Sequence, residues 1–313
     1  MRAATFRDGE VGVEEHPDPV PGVGEVLVRV RAAGLNGADV MQKAGHYPAP
    51  VGSPQDIPGL ELAGEVVALG PFAERFAVGD RVMGIAGGGG QAELLHLHER
   101  QLMPVPDALA DEQAGGFPEV FTTAHDAIVT QGLLKPGERL LVHGAAGGVG
   151  TAAVQIGRLL GAHVTATVRS EGSREAVAQL GADEVLDPAE FADREPYDVI
   201  LELVGAPDFP GNVQALAIDG RIVVIGVGAG PKVELDLLAL MQKRGTLRAS
   251  TLRARPLEEK ALTARRVEKQ LLPAVARGDL VVPIARTFPL DEVAAAYEHF
   301  SAGGKVGKVV LLP

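Results

Sequence analysis

One stretch constrains this chain more than any other. Leu140-Leu141-Val142-His143-Gly144-Ala145-Ala146-Gly147-Gly148-Val149-Gly150 is an apolar run that turns through glycines into a helical pattern. A strand that feeds a helix through so tight a turn leaves unpaired backbone N–H groups at the helix start, an arrangement suited to an anion. Gly147 lets the backbone approach a pyrophosphate and Gly150 lets the helix pack on the strand, while Ala145 stands where the usual first glycine would be. Downstream, residues 163–168, 185–186, 198–204 and 221–226 read as strands, and residues 151–160 and 173–180 as helices. Apolar strands alternating with helices predict a parallel sheet covered on both faces, a doubly wound α/β domain. Taken alone, the turn also suits other α/β proteins, such as a methyltransferase.

The flanking sequence has another texture. Residues 25–31 alternate apolar and polar with period two, and residues 64–70 and 80–84 look like further strands punctuated by Gly and Pro. Gly87-Gly88-Gly89-Gly90 reads as a flexible turn. After Thr251 a charged helix over 257–276, a short strand, another helix to Phe300 and a closing strand over 308–312 follow. That last strand resembles the first part of the chain more than the middle. With 313 residues, too many for one ordinary core, two domains are expected. Residues 1–117 and 253–313 form an irregular β-rich catalytic domain, and 118–252 an inserted dinucleotide-binding domain.

Composition narrows the chemistry. The chain has no cysteine, which removes disulfides, thiol nucleophiles and thiolate metal sites. Its net charge of −12 disfavours nucleic acid as a partner. No apolar run is long enough to cross a bilayer, and the N-terminus lacks a signal-peptide core, so a cytoplasmic location with no membrane contact is expected.

The strand after the glycine turn bears on the cofactor. An NAD enzyme places an acid at its end for the ribose 2′-hydroxyl. Here the strand ends Thr167-Val168-Arg169-Ser170, with Arg174 in the next helix. Guanidinium groups hold a 2′-phosphate through charge-assisted hydrogen bonds of about 1.5–3 kcal/mol each. NADPH is therefore the expected cofactor, although each arginine alone also reads as an ordinary surface charge.

At this point the sequence resembles the zinc-independent medium-chain dehydrogenase/reductase family, in its quinone oxidoreductase (zeta-crystallin-like) branch. The resemblance rests on residues 30–39, on Ala44-Gly45-His46-Tyr47-Pro48, on residues 57–66, on the glycine turn, and on Gly307-Lys308-Val309-Val310-Leu311. Residues 87–92 and 245–253 are similar to the stress-inducible NADPH quinone oxidoreductases. It implies a GroES-like catalytic domain joined to a Rossmann domain, and hydride transfer to a quinone or a similar conjugated carbonyl. In the family's alcohol dehydrogenases, the positions matching Asn36, Leu60 and Glu119 carry Cys, His and Cys for zinc. Leucine ligates nothing, so no metal is expected, and His96 and His98 read as ordinary strand histidines.

By the same resemblance Asn36, Asp39 and Tyr47 border the nicotinamide and the substrate. Asn36 would hydrogen-bond the acceptor carbonyl, Tyr47 would stack on a quinone or donate a proton, and Asp39 would tie down a turn. Thr123, Gly144, Gly148, Val149, Gly205, Gly226, Ser250, Thr251 and Leu252 join Ala145, Gly147, Gly150 and the Arg169–Ser170–Arg174 group as cofactor contacts. The family's quinone reductases often carry Lys at Ser173 and an aromatic residue near Asp187, and this chain departs at both. A homodimer is implied, joined through sheet edges near residues 221–225 and 245–251. An enoyl or other α,β-unsaturated carbonyl reductase, and a non-catalytic NADPH-binding crystallin-like protein, are the alternatives.

Overall fold

A computed structural model describes residues 1–194 and 196–313. The chain divides into two compact units. The first comprises Met1–Thr122, Leu252–Gly303 and Lys308–Pro313, and the second Thr123–Thr251 and Gly304–Gly307.

The first unit is a GroES-like sheet domain. Strands Ile284–Pro289, Lys308–Leu312, Glu25–Gly34, Glu61–Leu69, Arg81–Ile85 and Leu102–Pro104 lie side by side in that order, and Leu94–His98 also pairs with Glu25–Gly34. The alternation over residues 25–31 does what period two demands. Val26, Val28 and Val30 point into a core with Leu62, Val66, Val82, Leu95 and Leu102, while Arg29 and Arg31 face out. The closing strand completes this unit, pairing antiparallel with Glu25–Gly34 and parallel with Ile284–Pro289.

Two local expectations are corrected. Gly87 to Gly90 is not a loose turn but buried, tightly approached backbone. A Cβ on Gly87 would meet Ser53 Oγ at 2.2 Å, and one on Gly90 would meet the Glu61 carbonyl at 2.7 Å. The charged helix over 257–276 is two helices, Leu257–Gln270 and Leu272–Arg277, because Pro273 in the first turn of the second cannot continue the first.

The second unit is a Rossmann-type α/β domain. Its six strands run Glu184–Leu186, His163–Thr167, Arg139–Val142, Tyr197–Glu202, Leu216–Val224 and Thr246–Ala249, every neighbouring pair parallel. The first strand in sequence, Arg139–Val142, is central, and the order reverses between it and Tyr197–Glu202. Such a switch point is where open α/β sheets bind ligands, beyond the strands' carboxyl ends.

Candidate active site

The glycine turn leaves Arg139–Val142 at the switch point. Gly144 adopts φ +59°, and a Cβ there would approach Val204 and Leu203 of the neighbouring strand's exit. Gly147 caps the helix Gly148–Leu159 in an extended conformation with no side-chain hydrogen bond. The first intrahelical bond runs from Thr151 N–H to the Gly147 carbonyl at 2.8 Å. The N–H groups of Gly148, Val149 and Gly150 are thus the helix's unpaired donors. A Cβ on Gly147 would touch only the Gly144 carbonyl, at 3.4 Å, so space lies above it. On Gly150 it would press to 2.5 Å from Ala145 Cα, which fixes glycine by packing. These features fit a dinucleotide pyrophosphate.

At the end of His163–Thr167, Arg169 and Ser170 are exposed, and their side chains bond to nothing among the described residues. Arg174 differs: its guanidinium donates to the Val168 carbonyl at 3.2 Å and pairs with Asp187 at 2.8 Å. No acid ends the strand itself, yet Asp187 shares the charge of one of the two arginines. Gly205 sits at φ +118°, a conformation that favours glycine, and Gly226 is backed against the Leu203 carbonyl. Thr123 is buried in the second unit, Thr251 is exposed, and Ser250 Oγ donates to Asp126 Oδ2 at 3.4 Å. Leu252 falls in the first unit, lining a small apolar cavity with Ile85, Met103, Thr122 and Ala264.

Sequence reasoning missed the buried network that holds the Gly205 loop. Glu202, fully buried, accepts N–H bonds from Val204 at 2.6 Å and Gly205 at 2.8 Å, and an amide bond from Asn212 at 2.6 Å. That sets the Asn212 oxygen toward His143, whose Nε2–H donates to it at 2.7 Å, while Nδ1 lies 3.0 Å from Thr167 Oγ1 and 3.6 Å from Asp208 Oδ2. His143, Glu202 and Asp208 lie close enough to suggest a metal cluster. With both imidazole nitrogens and both Glu202 oxygens engaged, the group is instead a brace for the loop.

In the first unit, Asn36, Asp39 and Tyr47 gather around charges the sequence reading did not single out. Asn36 caps the helix Gly37–Lys43. Its Nδ2 donates to Glu61 Oε1 at 2.9 Å and to the Gly34 carbonyl at 3.3 Å, and its Oδ1 accepts from Lys308 Nζ at 2.7 Å. The amide is therefore fully engaged by protein. Lys308, 3 % exposed, also donates to the Leu35 carbonyl at 2.7 Å and lies 2.6 Å from the buried Glu61 carboxylate. Glu61 Oε2 accepts the N–H of Glu119 at 2.8 Å. An ammonium thus occupies the oxygens of Leu35, Asn36 and Glu61. A zinc ion placed there would meet a fixed like charge and no thiolate or imidazole, so this donor set does not suit it.

Asp39 accepts the Asn36 N–H at 2.8 Å and the Gly59 N–H at 3.1 Å, so both its oxygens fix backbone. Burial pushes its carboxyl up to about 6, against those hydrogen bonds and the Lys308 and Arg253 charges, which lower it. Glu119 is pushed further, to about 8, first by burial and then by the Glu61 charge. Tyr47 is half-buried. The Arg253 guanidinium lies over its ring at 5.2 Å and donates to its carbonyl at 3.0 Å and to Gln42 Oε1. Burial and the Glu119 charge raise the Tyr47 phenol, and Arg253 opposes them. The Tyr47 hydroxyl bonds to no described residue and stays available to a ligand.

A signal for the missed pair was present. Glu61 lies between Leu60 and Leu62, and Lys308 opens an apolar strand, so two opposite charges occupy inward strand positions.

Comparison with known proteins agrees with this class of fold. Residues 22–107 match the alcohol dehydrogenase GroES-like domain and residues 148–268 the zinc-binding dehydrogenase model. A quinone oxidoreductase of Pseudomonas aeruginosa is 34 % identical over 94 % of this chain and 92 % of its own length. The solved quinone oxidoreductase of Pseudomonas syringae superposes with a TM-score of 0.88 at 30 % identity, covering 100 % of this chain and 99 % of that one. A mycobacterial structure complexed with NADPH gives 0.88 at 27 % identity, with both chains fully covered. A phenolphthiocerol/phthiocerol polyketide synthase subunit of Mycobacterium tuberculosis is 34 % identical over 92 % of this chain, which spans only 13 % of that subunit's length. The fold and site define an NAD(P)-binding oxidoreductase of the medium-chain dehydrogenase/reductase class. Within it, the chain belongs to the quinone oxidoreductase branch.

Proposed function

We propose that this chain is an NADPH-dependent reductase that works without zinc and passes a hydride to a quinone. The observation that carries the reading is Lys308: a protein ammonium stands among the oxygens of Leu35, Asn36 and Glu61. Without a Lewis acid, acceptors that are easily reduced are favoured, and a quinone is one.

The pyrophosphate would rest on the N–H groups of Gly148, Val149 and Gly150. Exposed Arg169 and Ser170 would hold the 2′-phosphate, with Arg174 contributing less because Asp187 already pairs with it. Bound reduced nicotinamide supplies the hydride. One hydride and one proton convert a quinone to its hydroquinone. Tyr47 offers its hydroxyl hydrogen to the acceptor oxygen as negative charge develops there, and neutral Glu119 keeps a proton beside it. Asn36 and Asp39 act as positioning residues, since their polar atoms are engaged by protein.

The same donors would serve an α,β-unsaturated carbonyl, which is the alternative acceptor class. The test is cofactor oxidation with NADPH and NADH against a panel of quinones and enals, with and without a chelator. NADPH-driven, chelator-resistant quinone turnover is expected. Enal turnover alone would move the reading to the alternative, and NADPH binding without turnover would leave a non-catalytic crystallin-like role.

A homodimer is part of this proposal. The edge strand Thr246–Ala249, with Leu247 in it, is exposed throughout, and Leu237, Leu238 and Met241 on the preceding helix Leu237–Gln242 are exposed too, apolar surface that suits a second copy. A monomeric mass in light scattering would exclude it.

A further inference from the structure

A cavity of about 260 Å³ opens in the first unit. It lies among residues 50–54, the Gly87 and Gly88 backbone, the strand Leu94–His98 and the segment from Ala254 to Lys260. Glu25 is the carboxylate on its wall, and that group is engaged: Oε2 accepts the Gly22 N–H at 2.8 Å and lies 2.7 Å from His96 Nδ1. Lys260 and Arg255 also line the cavity.

Lys260 is half-buried, and the acids beside it in sequence turn to other cations. Glu258 pairs with Arg100 at 2.6 Å, and Glu259 lies 4.0 Å from Arg255. No carboxylate among the described residues forms an ion pair with Lys260. Burial, followed by the like charge of Arg253, lowers its pKa. It also sits near the start of the helix Leu257–Gln270, whose N-cap Pro256 makes no side-chain cap and whose dipole disfavours a cation there. Three influences thus oppose a charged lysine in this place, and a bound anion would relieve all three.

The cavity adjoins the candidate active site. Gly87 on its wall accepts the Arg253 Nε–H at 2.8 Å, and Arg253 lies over the Tyr47 ring. The two residues that follow Arg253, Ala254 and Arg255, line the cavity directly. A water occupies about 30 Å³, so the space admits a carboxylate or phosphate group without displacing protein.

We propose that this cavity binds an oxyanion, a carboxylate or a phosphate, at the tail of the electron acceptor, with Lys260 and Arg255 as its countercharges. The proposal rests on Tyr47 as the acceptor's seat.

The test uses three naphthoquinones with one head group and an alkyl, a carboxylate or a phosphate tail, assayed at low salt with the full chain. In the unsubstituted protein the anionic acceptors are expected to show a KM roughly tenfold below the neutral one. Lys260→Gln closes that gap while kcat and the neutral acceptor's KM stay put, and Arg255→Gln narrows it. A gap for one tail only tells which oxyanion is taken. Equal KM values for all three acceptors, or a gap untouched by both substitutions, overturns the proposal. Thermal unfolding in inorganic phosphate and in acetate, against chloride at matched ionic strength, gives a readout without turnover. An oxyanion-dependent rise in Tm that Lys260→Gln abolishes supports the site, and its absence refutes it. Failure of even the neutral quinone to turn over would count against the quinone-reductase reading, leaving the unfolding result to decide the cavity.

Discussion

Replacing Glu119 by Gln isolates the most perturbed carboxyl in the candidate site. Glu119 faces the carboxylates of Glu61 and Asp39 and the cations Lys308 and Arg253, and burial with the Glu61 charge raises it from 4.5 to about 8. In the unfolded chain it ionises near the ordinary value. Between those two pH values the folded protein holds a proton that the unfolded chain has released. The stability this contributes is complete below about 4.5 and is lost as pH rises through about 8. Each pH unit of the gap corresponds to about 1.4 kcal/mol. The full gap thus amounts to at most about 5 kcal/mol. Glutamine has the same shape and no charge at any pH. Urea unfolding of both proteins from pH 5 to pH 9 should show the variant gaining on the wild type as pH rises, with the difference levelling off above about pH 8. A difference that does not vary with pH would show that Glu119 ionises like an exposed acid, and its role as a proton reserve would fall with it.

Two further substitutions probe the framework. Lys308→Met strands the buried Glu61 carboxylate, and losing one member of such a pair costs about 3–5 kcal/mol. The urea midpoint should drop sharply and recover in part when Glu61→Gln is added, whereas a loss below about 1 kcal/mol would refute the pairing. Gly150→Ala drives a Cβ to 2.5 Å from Ala145 Cα, which should destabilise by about 1–3 kcal/mol. It should also weaken NADPH binding in a fluorescence titration, and unchanged stability and affinity would contradict the packing argument.

Much of the architecture was legible because it is written in local periodicity. The alternation at residues 25–31 and the apolar runs at 198–204 and 221–226 each specify a strand environment without reference to distant residues. The glycine turn is equally local, since helix start and strand end are contiguous. Pairings across the chain were not legible. Asn36 and Lys308 are 272 residues apart, and nothing near either one announces the other. The Gly87–Gly90 run misled for a related reason. Four glycines read as freedom, but here their lack of side chains admits Ser53 and the Glu61 backbone. The Asp187–Arg174 pair escaped because it joins the start of the helix Arg174–Gln179 to the residue just past the strand Glu184–Leu186, a proximity that only the folded sheet and helix create.

The strand Lys308–Leu312 lies in the interior of its sheet, between Glu25–Gly34 and Ile284–Pro289. During synthesis, Glu61 therefore emerges from the ribosome long before the cation that neutralises it. Until then the Glu61 carboxylate lacks its cation, and the Glu25–Gly34 edge that Lys308–Leu312 later covers has no partner on that side. The central unit, contiguous but for four residues, is free to fold in the meantime. Translation order thus makes the last strand synthesised the one that supplies the first unit's buried cation.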